Sequence, residues 1–177
     1  MDQARIEEKL QDLPLYEYAF LSTDELTFTE RVRYICETEC PMYNKSWACP
    51  PAVGTVESCM ARVREYPNFL LISTITEISD IANMEEGLAT RASHEAVTRQ
   101  VRDILQSEGA ETYVLSTEAC ADCEQCSWPD APCRKPDRMF PCVESHGVLV
   151  TDLAEKIGLD FIISSTLITW YSLLFYR

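Results

Sequence analysis

The residues best equipped for chemistry are the nine cysteines, and seven of them fall in two dense groups. The later group reads CADCEQCSWPDAPC, placing Cys120, Cys123 and Cys126 at intervals of three with Cys133 beyond. The earlier reads CETECPMYNKSWACPP and holds Cys36, Cys40 and Cys49. Spacing separates the metals that such thiols serve. Tetrahedral zinc takes its ligands as separated CxxC-type pairs, two from each turn. A CxxCxxC triple instead wraps one face of an iron–sulfur cubane and leaves a more distant cysteine for the fourth iron. Here that cysteine is Cys133, followed by RKP where the bacterial ferredoxin run has Pro directly. The spacing favours a 4Fe–4S cluster at Cys120, Cys123, Cys126 and Cys133; zinc and purely structural or redox-active thiols are the alternatives.

The first group supplies three close thiols. Pro41, Pro50 and Pro51 set extended backbone after Cys40 and Cys49, turning the thiols toward a common pocket that Tyr43 and Trp47 would shield from water. A fourth ligand would be Cys142 or Cys59, or the site would keep an open iron for substrate. Cys59 lies on an apolar helix face and reads as core. Cys142, in PCVESHG, sits in a loop and stays a ligand candidate. Arg134, Lys135 and Arg138 cluster beside the second group, where they would stabilise an anionic cluster and raise its potential, or simply decorate a solvated turn. Of the two histidines, His94 is expected in solvent and His146 in a capping or surface position; Glu144 and Ser145 also suit a helix start.

Composition narrows the setting. A formal net charge of −14 and a pI near 4.5 argue against nucleic acid and anionic membrane surfaces as partners. The opening MDQARIEEKLQDLP lacks the apolar stretch of a signal peptide. The one long apolar run, Phe161–Tyr176, is short for a membrane span and rich in Ser/Thr, β-branched and aromatic residues, so it reads as sheet. The chain is therefore expected in the cytoplasm, where thiols stay reduced and an odd count speaks against a disulfide framework. No phosphate loop, dinucleotide fingerprint or HExxH is present, and catalytic residues are not identifiable.

The elements that must position these thiols follow from periodicity. Helices are expected at Ala4–Gln11, Thr55–Tyr66, Ser93–Ser107 (stopped by Gly109) and Gly147–Ile157, and strands at Leu15–Thr23, Phe69–Ile78, Glu111–Ser116 and the C-terminal run. Alternating strands and helices point to a single α/β domain over residues 1–177, with a mixed central sheet flanked by helices. Residues 36–51 and 120–142 resist that pattern, and loops so long require another source of order, such as bound metal.

With those motifs in view, the chain resembles a family of small, cysteine-rich predicted metal-binding proteins of unknown function, common in anaerobic bacteria and archaea. The likeness rests on C-x3-C followed by W-x-CPP, on CxxCxxC, and on PCRxP with a later Met and an ES-x-G turn. It implies Cys36, Cys40, Cys49, Cys120, Cys123, Cys126 and Cys133 as ligands and leaves Cys59 and Cys142 open. Three functions compete at this level. One is a cytoplasmic iron–sulfur protein with one or two 4Fe–4S clusters, exchanging electrons with a redox partner protein. The second is an enzyme whose open iron at Cys36, Cys40 and Cys49 takes a small-molecule substrate, and the third is a zinc-stabilised interaction module.

Overall fold

The computed structural model describes residues 2–117, 119–159 and 162–177. Its sheet is built from segments whose apolar side chains alternate between two covered faces. On β2 (Asn68–Glu77), Phe69 and Leu71 face one layer while Leu70 and Ile72 face the other, and all four are fully buried. The same holds on β4 (Leu167–Tyr176), with Leu173 and Phe175 on one side and Leu174 on the other. A strand covered on both sides reads as a near-continuous apolar run, which is why these two segments are so conspicuous. Each such side chain contributes roughly 1.5–3 kcal/mol by leaving water.

β1 (Glu17–Ser22) and β3 (Thr112–Leu115) complete a four-stranded sheet in the order β1-β2-β4-β3. Helices α1 (Gln3–Leu10) and α4 (Met84–Ser107) cover one face through Ile6, Leu10, Val97, Val101 and Leu105. The other face is covered by α3 (Val56–Val63) and α5 (Val150–Lys156), through Val63, Val150 and Leu153. The α/β class is as expected from the sequence. The sheet, expected to be mixed, is instead antiparallel at all three strand pairings. The reason is an insertion. β2, α4 and β3 form a crossover unit whose two strands run the same way, but β4 lies between them and pairs antiparallel with both.

Element ends differ where side-chain patterning is weak. α4 starts at Met84, nine residues before the expected Ser93, with Asn83 as its cap accepting from the Glu86 N–H at 3.2 Å. A further helix, α2 (Glu30–Thr38), occupies a stretch not assigned from periodicity; Thr29 caps it by accepting from Arg31 N–H. Phe161, where the C-terminal apolar run begins, lies outside the described residues. Among the described residues no helix is long and apolar enough to cross a membrane.

Both histidines are buried, His94 at 1% and His146 at 0% exposure, against the expectation of solvent for His94 and of a capping or surface position for His146. Because α4 begins earlier than expected, His94 is mid-helix and points at the sheet, between Thr74 Oγ1 and Ser172 Oγ at 2.8 Å each. Thr98 and Ser116 extend this buried network through Ser172 at 2.9 Å. Burial disfavours the imidazolium, lowering His94 from 6.5 to about 4 and His146 to about 3. Depressed folded values mean stability is whole above the unfolded value of 6.5. It falls with acidification as the unfolded chain takes protons the folded one refuses. For His94 that is about 3 kcal/mol between pH 6.5 and 4. By NMR, neither imidazole should titrate between about pH 8 and pH 5.5; a midpoint near 6.5 for either would contradict this placement.

Candidate metal centres

The cysteines gather around two cavities. The first, of about 220 Å³, is lined by Cys36, Cys40, Cys49 and Cys142. The second, of about 210 Å³, is lined by Cys120, Cys123, Cys126 and Cys133. Cys59 lines neither: it is fully buried on α3, its thiol 3.4 Å from the Val53 carbonyl it donates to, with Arg33 on its other side.

Around the first cavity, α2 carries Cys36 in its last turn, so this group starts on a helix and not in a loop. The helix closes with Glu39 and Cys40 N–H both directed at the Ile35 carbonyl, leaving Cys36 and Cys40 four residues apart at its end. Cys49 follows a turn in which its N–H donates to Ser46 O at 3.2 Å. Cys142 arrives from the other side of the chain. Its N–H donates to Ala48 O at 2.9 Å, while Pro141 and Val143 bond to Ser116 in a short parallel bridge beside β3. The remaining walls are mostly apolar, with Val32, Ile35, Val148 and Leu149 among them. Glu144 accepts from the Cys142 thiol at 2.8 Å, and burial raises its carboxyl above the ordinary range. Glu144 and Ser145, expected to cap the next helix, form a separate 3-10 turn with His146, and α5 starts only at Val150.

The second cavity is ordered by α4. Glu95 on that helix accepts from Ala121 N–H at 3.1 Å, next to Cys120, and pairs with Arg99 at 3.4 Å. Arg102 donates to the Asp137 carbonyl at 2.8 Å, and Arg99 and Arg102 both lie against the Phe140 ring. Asp122, between Cys120 and Cys123, meets Arg138 at 2.8 Å and Lys135 at 2.9 Å. The Arg138 hydrogen bond, with Lys135 added, holds its carboxyl down at about 2. Arg134 donates to the Gln125 carbonyl. The basic cluster read from the sequence is thus partly committed: two of its three cations pair with Asp122, while Arg134 and Lys135 line the cavity.

The two loops also hold each other. Trp47 of the first loop meets Trp128 of the second edge-on, ring centroids 4.7 Å apart. Trp47 Nε1 donates to Ala131 O at 3.1 Å and Trp128 Nε1 to Asn44 Oδ1 at 2.9 Å. Tyr43 lines the first cavity as expected, but Trp47 lines the second. Met42, Lys45 and Ser46 line it too, so the first cysteine loop is a wall of the second site.

These surroundings suit an anionic metal–thiolate group. Each cavity presents four thiols. Burial pushes the Cys120 thiol up to about 11; a coordinated metal cation would deprotonate it outright. In the second cavity, Arg91 Nε and Nη1 are buried and have no acceptor among the described residues. Also among the described residues, no three His, Cys, Asp or Glu side chains form a ready set for a single ion.

Residues 19–176 match the family described as Predicted metal-binding protein (DUF2284), and the chain belongs to that family. No curated protein and no solved structure matches it.

Two stability measurements probe this architecture. Gly147 ends the Glu144–His146 turn at φ +74°, and a Cβ there would lie 2.8 Å from Val56 Cγ1 and 3.2 Å from Thr29 O. Gly158 has a similar φ of +72° but open space. Gly147→Ala should therefore cost about 2–4 kcal/mol and Gly158→Ala about 1 kcal/mol in denaturant melts; equal losses would contradict the packing. A double-mutant cycle of Trp47→Ala and Trp128→Ala should give a coupling of about 0.5–1.5 kcal/mol. Strict additivity would mean that the loops are not docked through this pair.

Proposed function

We propose that the chain is a cytoplasmic iron–sulfur protein of electron transfer, with one 4Fe–4S cluster at Cys36, Cys40, Cys49 and Cys142 and a second at Cys120, Cys123, Cys126 and Cys133. The observation that carries this reading is the pair of cavities, each walled by four thiols and sharing the first cysteine loop. A volume above 200 Å³ is many times the roughly 10–15 Å³ that one water needs, so a polyatomic group suits the space better than a lone zinc ion. The CxxCxxC triple adds the ligand spacing of a cubane. Bound there, such a cluster would accept and give up one electron at a time.

The chain's own residues account for the rest. Cys142 offers the first site a fourth thiol, which counts against an open iron and thus against the enzyme alternative. Apolar walls around the first cavity limit water and the reorganisation that accompanies a change of charge. The basic side chains of the second offset the negative charge that thiolates bring. A chain with net charge −14 suits a redox partner with a basic docking face, attracted over several ångströms and sensitive to salt.

Iron content of single variants tests the ligand sets. Anaerobically purified Cys142→Ala and Cys120→Ala should each fall from about eight to about four iron per chain, and Cys59→Ala should keep all of it. Full iron in Cys142→Ala would remove that residue from the ligand set and return the open-iron enzyme to consideration.

A further inference from the structure

Helix α4 runs beside the second cavity and presents Arg91 to it. A guanidinium carries five donors and no acceptor and stays charged at any ordinary pH, so buried N–H groups without a partner are costly. Its neighbours are differently placed. Arg99 pairs with Glu95, Lys135 and Arg138 pair with Asp122, and Arg134 donates to a backbone carbonyl. The carboxylate nearest in sequence on the same helix, Glu95, is taken by Ala121 N–H and Arg99. Arg91 Nε and Nη1 keep buried donors with no acceptor among the described residues. The cavity that Arg91 helps to wall is lined by four thiols, beside the carboxylates of Asp122 and Glu124.

We propose that Arg91 is the hydrogen-bond donor to the anionic metal–thiolate group of the second cavity, and that this contact makes the second site the more readily reduced of the two. The inference rests on the iron–sulfur reading. Its physical basis is the asymmetry between the cavities. Reduction adds negative charge, which is stabilised next to a buried cation and hydrogen-bond donors to sulfur. Among the described residues the first cavity has no cationic side chain in its wall and carries the carboxyl of Glu144 among apolar residues, whereas the second is lined by Lys45, Arg91, Arg134 and Lys135 against the carboxylates of Asp122 and Glu124. Lys45, exposed on the first loop, adds a weaker, solvent-screened cation to the second cavity only. Arg91 is a positioning and tuning residue here, not a ligand.

The test is a redox titration of the anaerobically purified full chain, followed by electron paramagnetic resonance. Cys142→Ala and Cys120→Ala assign the two signals to their sites. The wild type should reduce the second site first. Arg91→Gln should lower the midpoint of that site with the first unmoved, Arg91→Lys should recover part of the shift, and Lys45→Gln should give a smaller shift of the same sign. A second-site midpoint unmoved in Arg91→Gln, or a first site that reduces first in the wild type, would overturn the proposal. Should Arg91→Gln lose its iron, Arg91→Lys decides it: a second-site midpoint below that of the wild type is expected, and one equal to the wild type would overturn the proposal. A wild type with neither iron nor sulfide would defeat the iron–sulfur reading itself, an outcome separate from a misassigned Arg91.

Discussion

The arrangement of both cysteine groups depends on how the backbone around Cys142 is clamped. Its own N–H is held by Ala48 O in the first loop, and its flanking residues bridge to Ser116 at the end of β3. This short segment therefore fixes the first loop against the sheet edge and delivers a fourth thiol to a cavity whose other three come from far earlier in the chain. Ser116 in turn touches Ser172, which touches His94. A fully buried polar network thus ties the clamp to both β4 and α4. Each of these groups is partnered, which is the condition under which buried polar networks rigidify a structure.

A second layer of constraint is electrostatic. α4 is a scaffold on one side and an anchor on the other. Val97, Val101 and Leu105 pack on the sheet, while Glu95, Arg99 and Arg102 reach the loop that carries the CxxCxxC triple. Asp122 sits inside that triple and collects Lys135 and Arg138 from the far end of the same loop. A segment without a regular hydrogen-bond ladder is thereby closed on itself by charge and pinned to a helix. The first cavity is built oppositely, from apolar side chains of α2 and α5 and a buried carboxyl.

Much of this architecture is legible in the amino-acid sequence. The central strands stand out because both of their faces are covered and their apolar runs are nearly unbroken. The spacing of Cys120, Cys123, Cys126 and Cys133 is local, so it survives translation into one cavity. What the sequence hides is non-local. Nothing in periodicity says that β4 inserts between β2 and β3, which makes antiparallel a sheet expected to be mixed. Cys142 and Cys59 are both eligible by type as the fourth thiol of the first group; the Ala48 and Ser116 contacts separate them. α2 escapes periodicity because its buried face includes Arg33 while Ile35 is half exposed, although Thr29 and Glu30 are an ordinary helix start. Trp47 reads as a shield of the first pocket because its partner in the second loop, Trp128, is remote in sequence. The histidines look solvated because their neighbours in sequence are polar, whereas their burial is satisfied by Thr74, Ser172 and Tyr113 from other elements.

The central claim is that eight cysteines hold two iron–sulfur clusters side by side. Its most direct test is the metal and sulfide content of the protein purified without oxygen, read together with its absorption spectrum. The account predicts a brown protein with about eight iron and about eight sulfide per chain and little zinc, as two 4Fe–4S clusters require. A colourless protein carrying zinc in place of iron would contradict it.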